Sequence, residues 1–186
     1  MRIIGGTWRG RKLAAIAKGD TVTQLRPTSD KLRESLFNIL THGAVQHPIE
    51  GARVLDLFAG TGALGLEALS RGAAEAYFVE NARGAQELIA QNIAMLDAGP
   101  RARIVRHDAT KLAPWTLDKF DLVFLDPPYG LNLGTRALTV ARDGGWLAPG
   151  ALVIWEESGT QAAPPHFSAL STRNSGQSWL TFLRHA

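Results

Sequence analysis

Four consecutive residues, Asp126-Pro127-Pro128-Tyr129, combine a carboxylate, two rigid carbonyl carriers and an aromatic face. They close an apolar run, Phe120-Asp121-Leu122-Val123-Phe124-Leu125, of the kind that forms a buried strand. The Asp126 carboxylate can accept a hydrogen bond from an exocyclic N–H. Proline lacks an N–H and has a fixed φ, so Pro127 and Pro128 end a β-ladder and leave carbonyl oxygens to accept more. Tyr129 offers a ring on which a planar base can stack. These types suit the holding of a flat, amine-bearing group at the carboxyl end of a parallel sheet. A plain strand-end turn uses the same residues, so the surroundings must decide.

A second constellation lies upstream, in Asp56-Leu57-Phe58-Ala59-Gly60-Thr61-Gly62-Ala63-Leu64-Gly65. Gly60, Gly62 and Gly65 have the spacing of a loop that turns tightly and brings backbone close to a ligand. Glu80, followed by Asn81, lies twenty residues past Gly60, where an acid can take a ribose diol. A nicotinamide enzyme and a methyltransferase fit equally well to this point. Three further features separate them. Asp56 precedes the loop, where a carboxylate repels a pyrophosphate and welcomes an ammonium group. Asp108, followed by Ala109, closes a third apolar run and can bind an adenine amine. Asp126 closes the fourth. Acids at four successive strand ends line one rim, which suits S-adenosylmethionine with its sulfonium, ammonium, ribose and adenine.

The elements that must carry this rim follow from the pattern. Strands are expected at 53–58, 75–80, 103–106, 122–125 and 151–155, with helices at 63–71, 83–96 and 133–142 between them. Strand–helix alternation with short connections implies a parallel, doubly wound sheet. The end differs: 167–172 and 178–183 flank Arg173-Asn174-Ser175-Gly176 and read as an antiparallel hairpin. The expected class is therefore α/β with a Rossmann-like, seven-stranded, mostly parallel sheet. Before it, Arg26-Pro27-Thr28-Ser29-Asp30 carries the cap chemistry of a helix running through Leu40, with Gly43 as its stop. The first residues, 2–6 and 11–13, could pair as a small hairpin around Thr7–Gly10.

Composition narrows the function further. At 186 residues the chain fits one domain, 1–186, comprising a basic arm (1–25), a preceding helix (26–42) and the core (51–186). It has no cysteine, which removes disulfides and thiolate metal sites and suits the cytoplasm. Its five histidines show no metal-ligand spacing, so no metal is expected. No apolar run is long enough to span a bilayer. The net charge of +3 is uneven: residues 1–33 hold eight Lys/Arg against two Asp, and the rest hold twelve bases against fifteen acids. A basic arm on a mildly acidic body is a handle for a polyanion. Arg2, Arg9, Arg11 and Lys12, with Trp8 among them, are the candidate RNA contacts.

At this point the chain resembles the RsmD-type family, bacterial enzymes that methylate guanine N2 in small-subunit (16S) ribosomal RNA. The specific parts are the opening Arg2-Ile3-Ile4-Gly5-Gly6-Thr7-Trp8-Arg9-Gly10-Arg11 and the segment from Arg26 to Asn38. The run from Val54 to Gly72 and the tetrapeptide from Asp126 to Tyr129 also match, although many methyltransferases share them. The resemblance implies a class I S-adenosylmethionine-dependent fold. It implies that Asp56, Gly60 and Gly62 hold the methionine portion, Glu80 the ribose, and Asp108 with the Ala109 backbone the adenine, with Phe58, Ala59, Thr61, Asn81 and Asp126 also against the cofactor. Arg26, Pro27 and Thr28 would border the cofactor pocket. Ribosomal RNA, within an assembling small subunit, would be the partner of a monomeric enzyme. A methyltransferase acting on adenine N6 or another amino group of nucleic acid remains the alternative.

Overall fold

Largely apolar runs become the central strands, which are buried on both faces as a parallel sheet covered by helices requires, whereas the edge strand near the C-terminus is mostly exposed. The computed structural model describes residues 1–15 and 29–186. The sheet comprises β1 (Arg53–Leu57), β2 (Glu75–Val79), β3 (Ala102–Val105), β4 (Phe120–Leu125), β5 (Leu147–Glu157), β6 (Phe167–Ser175) and β7 (Ser178–His185). Its order is β3-β2-β1-β4-β5-β7-β6. The first five strands pair in parallel, and β7 pairs antiparallel with β5 and with β6. The seven-stranded, mostly parallel expectation holds, including the closing hairpin.

Two helical layers cover the sheet. One face carries Val54, Phe78, Phe124, Ile154 and Phe182 and packs under α1 (Asp30–His42), α2 (Ala63–Ser70) and α3 (Arg83–Leu96). The other carries Leu55, Val79, Val123, Trp155 and Leu183 and packs under α4 (Leu133–Asp143). Helix α1 is started by Ser29, whose hydroxyl accepts from the Leu32 N–H at 3.1 Å, and its last turn is closed by the Gly43 N–H on the Ile39 carbonyl. Its Phe37 ring lies 5.7 Å from Phe124, so α1 rides over β4. Gly134 lets α4 approach Trp155: a Cβ there would sit 2.2 Å from the indole.

Strand β5 is longer than expected. Its pairing with β4 jumps from Phe120↔Leu147 to Leu122↔Leu152, so 148–150 bulge outward. Pro149 cannot donate to a ladder and Gly150 has a left-handed φ of 76°, which hid this strand start from a reading of apolar runs. At the N-terminus a single antiparallel bridge joins Arg2 to Lys12, and the turn between them closes with Gly10 N–H to the Ile3 carbonyl at 2.9 Å.

Candidate active site

The rim is set by register. Leu57 pairs with Val79 and with Leu125, Val79 with Val105, and Leu125 with Trp155. Strands β1 to β4 therefore end level with one another, and β5 passes that level by two residues, to Glu157. Three more bonds carry the level one step further: Ala59 N–H to Val79, Glu80 N–H to Val105, and Asp126 N–H to Leu57. Glu80 and Asp126 thus leave the sheet at the same height on strands separated only by β1, and Glu156, still paired with Leu180 in β5, lies at the level of Asp126. This is the crevice in which open α/β sheets bind ligands.

The glycine loop opens onto that crevice through backbone that few residues adopt. Phe58, Gly60 and Gly62 have φ of 59°, 57° and 76°. A left-handed phenylalanine is rare, and its half-buried ring is held against Leu57 and its neighbours in the α4-side core. Gly65 admits no side chain, since a Cβ would lie 2.5 Å from the Phe78 ring. Glu80 fastens the loop to the start of α3, one oxygen accepting from Gly60 N–H at 2.9 Å and the other from Ala82 N–H at 2.8 Å. Thr61 is fixed by Asn92, whose amide donates to the Thr61 carbonyl at 3.0 Å, while Asn81 is exposed beyond Glu80.

Asp56 lies deeper than its neighbours, 2% exposed, with its carboxylate accepting from Gly65 N–H at 2.9 Å. Burial pushes its pKa up to about 8, against the pull of that N–H and with a further push from Glu80. Asp108 is the opposite case. The Thr110 N–H, the Thr110 hydroxyl and Lys111 hold it below the usual carboxylate range despite partial burial. It is an ionised acceptor beside the buried Ala109. Arg26, Pro27 and Thr28 lie outside the described residues, although Ser29 begins α1 and Ala14 N–H reaches the Asn92 carbonyl oxygen that borders the loop.

At the end of β4, Pro127 is buried, Asp126 half-buried and Pro128 exposed. The Tyr129 hydroxyl donates to Glu156 at 3.0 Å and lies 3.0 Å from the Ser178 hydroxyl. Burial, with the charges of Glu156 and Asp126, pushes its pKa up to about 12, so it stays a neutral phenol. Glu156 and Ser178 escape a reading based on the tetrapeptide. The signal was present for Glu156, an acid at the end of the fifth strand just like those of the other four.

The N-terminal candidates stand elsewhere. Thr7 N–H bonds the Ser70 carbonyl and Trp8 N–H the Ser70 hydroxyl, at the C-terminal end of α2. An eight-residue helix is about 12 Å long, so this turn sits at the far end of the sheet from the rim. The Trp8 ring is covered by the Arg101 guanidinium at 5.3 Å. Arg2 pairs with Asp30 at 3.5 Å and Arg11 donates to the Met95 carbonyl, leaving Arg9 and Lys12 exposed without ion pairs among the described residues. Beneath the arm, Ile4 and Gly5 N–H groups both bind Glu67 at 2.8 Å, and fully buried Arg33 lies 3.6 Å from the same carboxylate. Neither Arg33 nor Glu67 stands out in the sequence.

Comparison with known proteins decides the family. The family described as Conserved hypothetical protein 95 matches residues 1–184, and Ribosomal RNA small subunit methyltransferase D of Escherichia coli K12 is 41% identical over 95% of this chain and 86% of its own. The chain belongs to the RsmD family. Another RsmD relative, the enzyme of that same description in Haemophilus influenzae, is 34% identical over 95% of this chain and 89% of its own. The solved structure of the yhhF protein of Escherichia coli superposes with a TM-score of 0.81 at 36% identity, covering 100% of this chain and 97% of that one. The fold is that of the class I S-adenosylmethionine-dependent methyltransferases, and S-adenosylmethionine is the RsmD cofactor. The residues present suit it: a peeled-open glycine loop, a Glu80 at ribose distance from that loop in sequence, and buried acid with no cation beside it among the described residues.

Proposed function

We propose that this protein transfers a methyl group from S-adenosylmethionine to the exocyclic N2 amine of a guanine in small-subunit (16S) ribosomal RNA. The carrying observation is that Asp126 emerges at the level of Glu80 and of the glycine loop, with Tyr129 tied down beside it. The ribosomal substrate is that of the relatives named above. The cytoplasm, where ribosomes assemble, is the matching location.

An exocyclic base amine is a weak nucleophile because its lone pair is delocalised into the ring. The Asp126 carboxylate accepts one N–H and the Pro127 carbonyl the other, which draws the nitrogen toward tetrahedral geometry and aims its lone pair at the methyl. The bound cofactor supplies that methyl on a positively charged sulfur, already an excellent leaving group. What remains for the chain is positioning and electrostatics. Tyr129, anchored through Glu156 and Ser178, gives the base a rigid ring to lie on, worth on the order of 1–3 kcal/mol. Asp126 or water then takes the proton that the methylated nitrogen sheds. A base inside a duplex cannot reach this rim, so the target is unpaired or flipped. Glu80, Asp108, Ala109 and the loop from Asp56 to Gly62 hold the donor, with Arg26, Pro27 and Thr28 assigned to the same pocket. The test is nucleoside analysis of ribosomal RNA methylated in vitro: N2-methylguanosine supports the reading, and N6-methyladenosine or no methylated base ends it.

A further inference from the structure

The face of the sheet on which the acceptor opens follows from alternation along each strand. Phe124 and Ile154 point to the α1 side, so the positions two residues on, Asp126 and Glu156, leave toward that side too. Leu180 also points there, and it is paired with Glu156 on one flank and Arg173 on the other. Arg173 therefore projects from β6 beside the outward face of α1. Between them runs a shallow groove lined by Lys31, Glu34, Ser35, Asn38, His42 and Arg173. Helix α1 has thirteen residues, so the groove follows about 20 Å of helix. Its strand wall continues through the hairpin end to Ser178, which holds the Tyr129 hydroxyl.

Cations without an ion pair among the described residues occur in this groove, as they do at Arg9 and Lys12 of the N-terminal turn, but the groove leads to the rim and that turn lies at the far end of the sheet from it. Arg2, Arg33, Arg53, Arg71, Arg83 and Arg142 are all paired with acids. Lys31 and Arg173 are exposed and make no ion pair among the described residues. Glu34 is the one acid of the lining, set between hydroxyl and amide groups that can bind a ribose or a phosphate equally well. Ile39 and Gly43 complete the lining, and a groove of mixed polarity with two unspent cations, leading to the acceptor site, fits a single RNA strand, whose phosphates meet the cations while a base face lies against Ile39.

We propose that the groove between α1 and β6 seats the RNA strand flanking the target nucleotide, with Lys31 and Arg173 as its phosphate contacts. This rests on the ribosomal RNA reading above, and it moves the principal contact away from the N-terminal turn. The substrate for the test is small ribosomal subunits from cells lacking this protein, methylated with labelled S-adenosylmethionine. Lys31→Glu with Arg173→Glu should raise KM about tenfold or more, with kcat and S-adenosylhomocysteine affinity within about twofold of wild type. The logarithmic salt slope should fall by about 0.7 for each contact removed. Arg173→Lys should restore most of the affinity. An unchanged KM and slope in a variant with wild-type thermal stability overturns the proposal. A benzophenone amino acid at Asn38 gives an independent reading: a crosslink to ribosomal RNA supports it, and a crosslink to ribosomal protein alone overturns it. Failure of the wild-type protein to methylate the subunits would instead sink the parent reading, and the two failures are therefore distinguishable.

Discussion

Two groups of buried acid in this molecule are neutralised in opposite ways. Glu67, fully buried on α2, is surrounded by Arg33, Arg71 and the N–H groups of Ile4 and Gly5. Asp56 and Glu80, at the rim, meet only backbone N–H groups and each other, and no cation pairs with them among the described residues. The first group is internally balanced and serves architecture, locking the N-terminal arm to α1 and α2. The second is short of positive charge, and burial drives Asp56 toward its neutral form. A cluster left in that condition gains most from a cationic ligand.

The contrast can be broken most directly at Glu67. Glu67→Ala removes the buried carboxylate that faces Arg33 and Arg71, leaving Arg33 with Asp30 alone, and should cost up to about 3–5 kcal/mol, read as a lowered urea midpoint at constant m-value. A wild-type midpoint would mean the arm is not locked there. Asp126→Ala should leave folding and S-adenosylhomocysteine binding intact while lowering kcat by about 10²–10³, the loss typical of one positioned polar group in a transition state. Normal turnover would detach the rim from the chemistry.

Asp56→Asn sharpens the comparison through pH. A carboxyl whose folded pKa of about 8 exceeds its ordinary 3.8 contributes stability that is complete below the lower value. That contribution is lost as pH rises through the higher one. Unfolding free energy should thus decline between these limits in the wild type, and the decline should be shallower in Asp56→Asn. Cofactor affinity should rise with pH over the same window, because the charged carboxylate welcomes the cation, and it should be flat in the variant. Tyr129→Phe keeps the ring and loses the anchor, at about 1 kcal/mol in stability; its turnover should fall less than that of Asp126→Ala. Smallest of all, Arg9→Ala should change KM for subunits less than Arg173→Ala does, since Arg9 sits beyond the C-terminal end of α2.

Much of the fold could be read from residues. The parallel order followed from apolar runs separated by helical periods, and the closing hairpin from its turn chemistry. Glu80, Asp108 and Asp126 were recognisable because a strand-end acid is a local pattern. What escaped was non-local. Arg33 reads as one more surface arginine on α1 until Glu67, thirty-four positions later, is placed against it. Ser178 carries no signal at all, since its value comes from meeting a tyrosine forty-nine residues away. The burial of Asp56 was equally hidden, because a strand's last acid can face out or under its own loop. The basic arm shows the limit of charge counting, which located the bases but not the end of the sheet that holds them.

The close contact of Gly134 with Trp155 has a consequence for how this enzyme can diversify. The connection from Pro127 to Asn132 is stretched between two immovable posts, the ladder at Leu125 and the helix pressed onto an indole. Leu131, exposed on that span, can change and alter what the entrance admits, while the acid at its root keeps its aim. Enlarging the one atom that permits the contact would tilt the helix and drag the entrance with it, without touching any group that meets substrate.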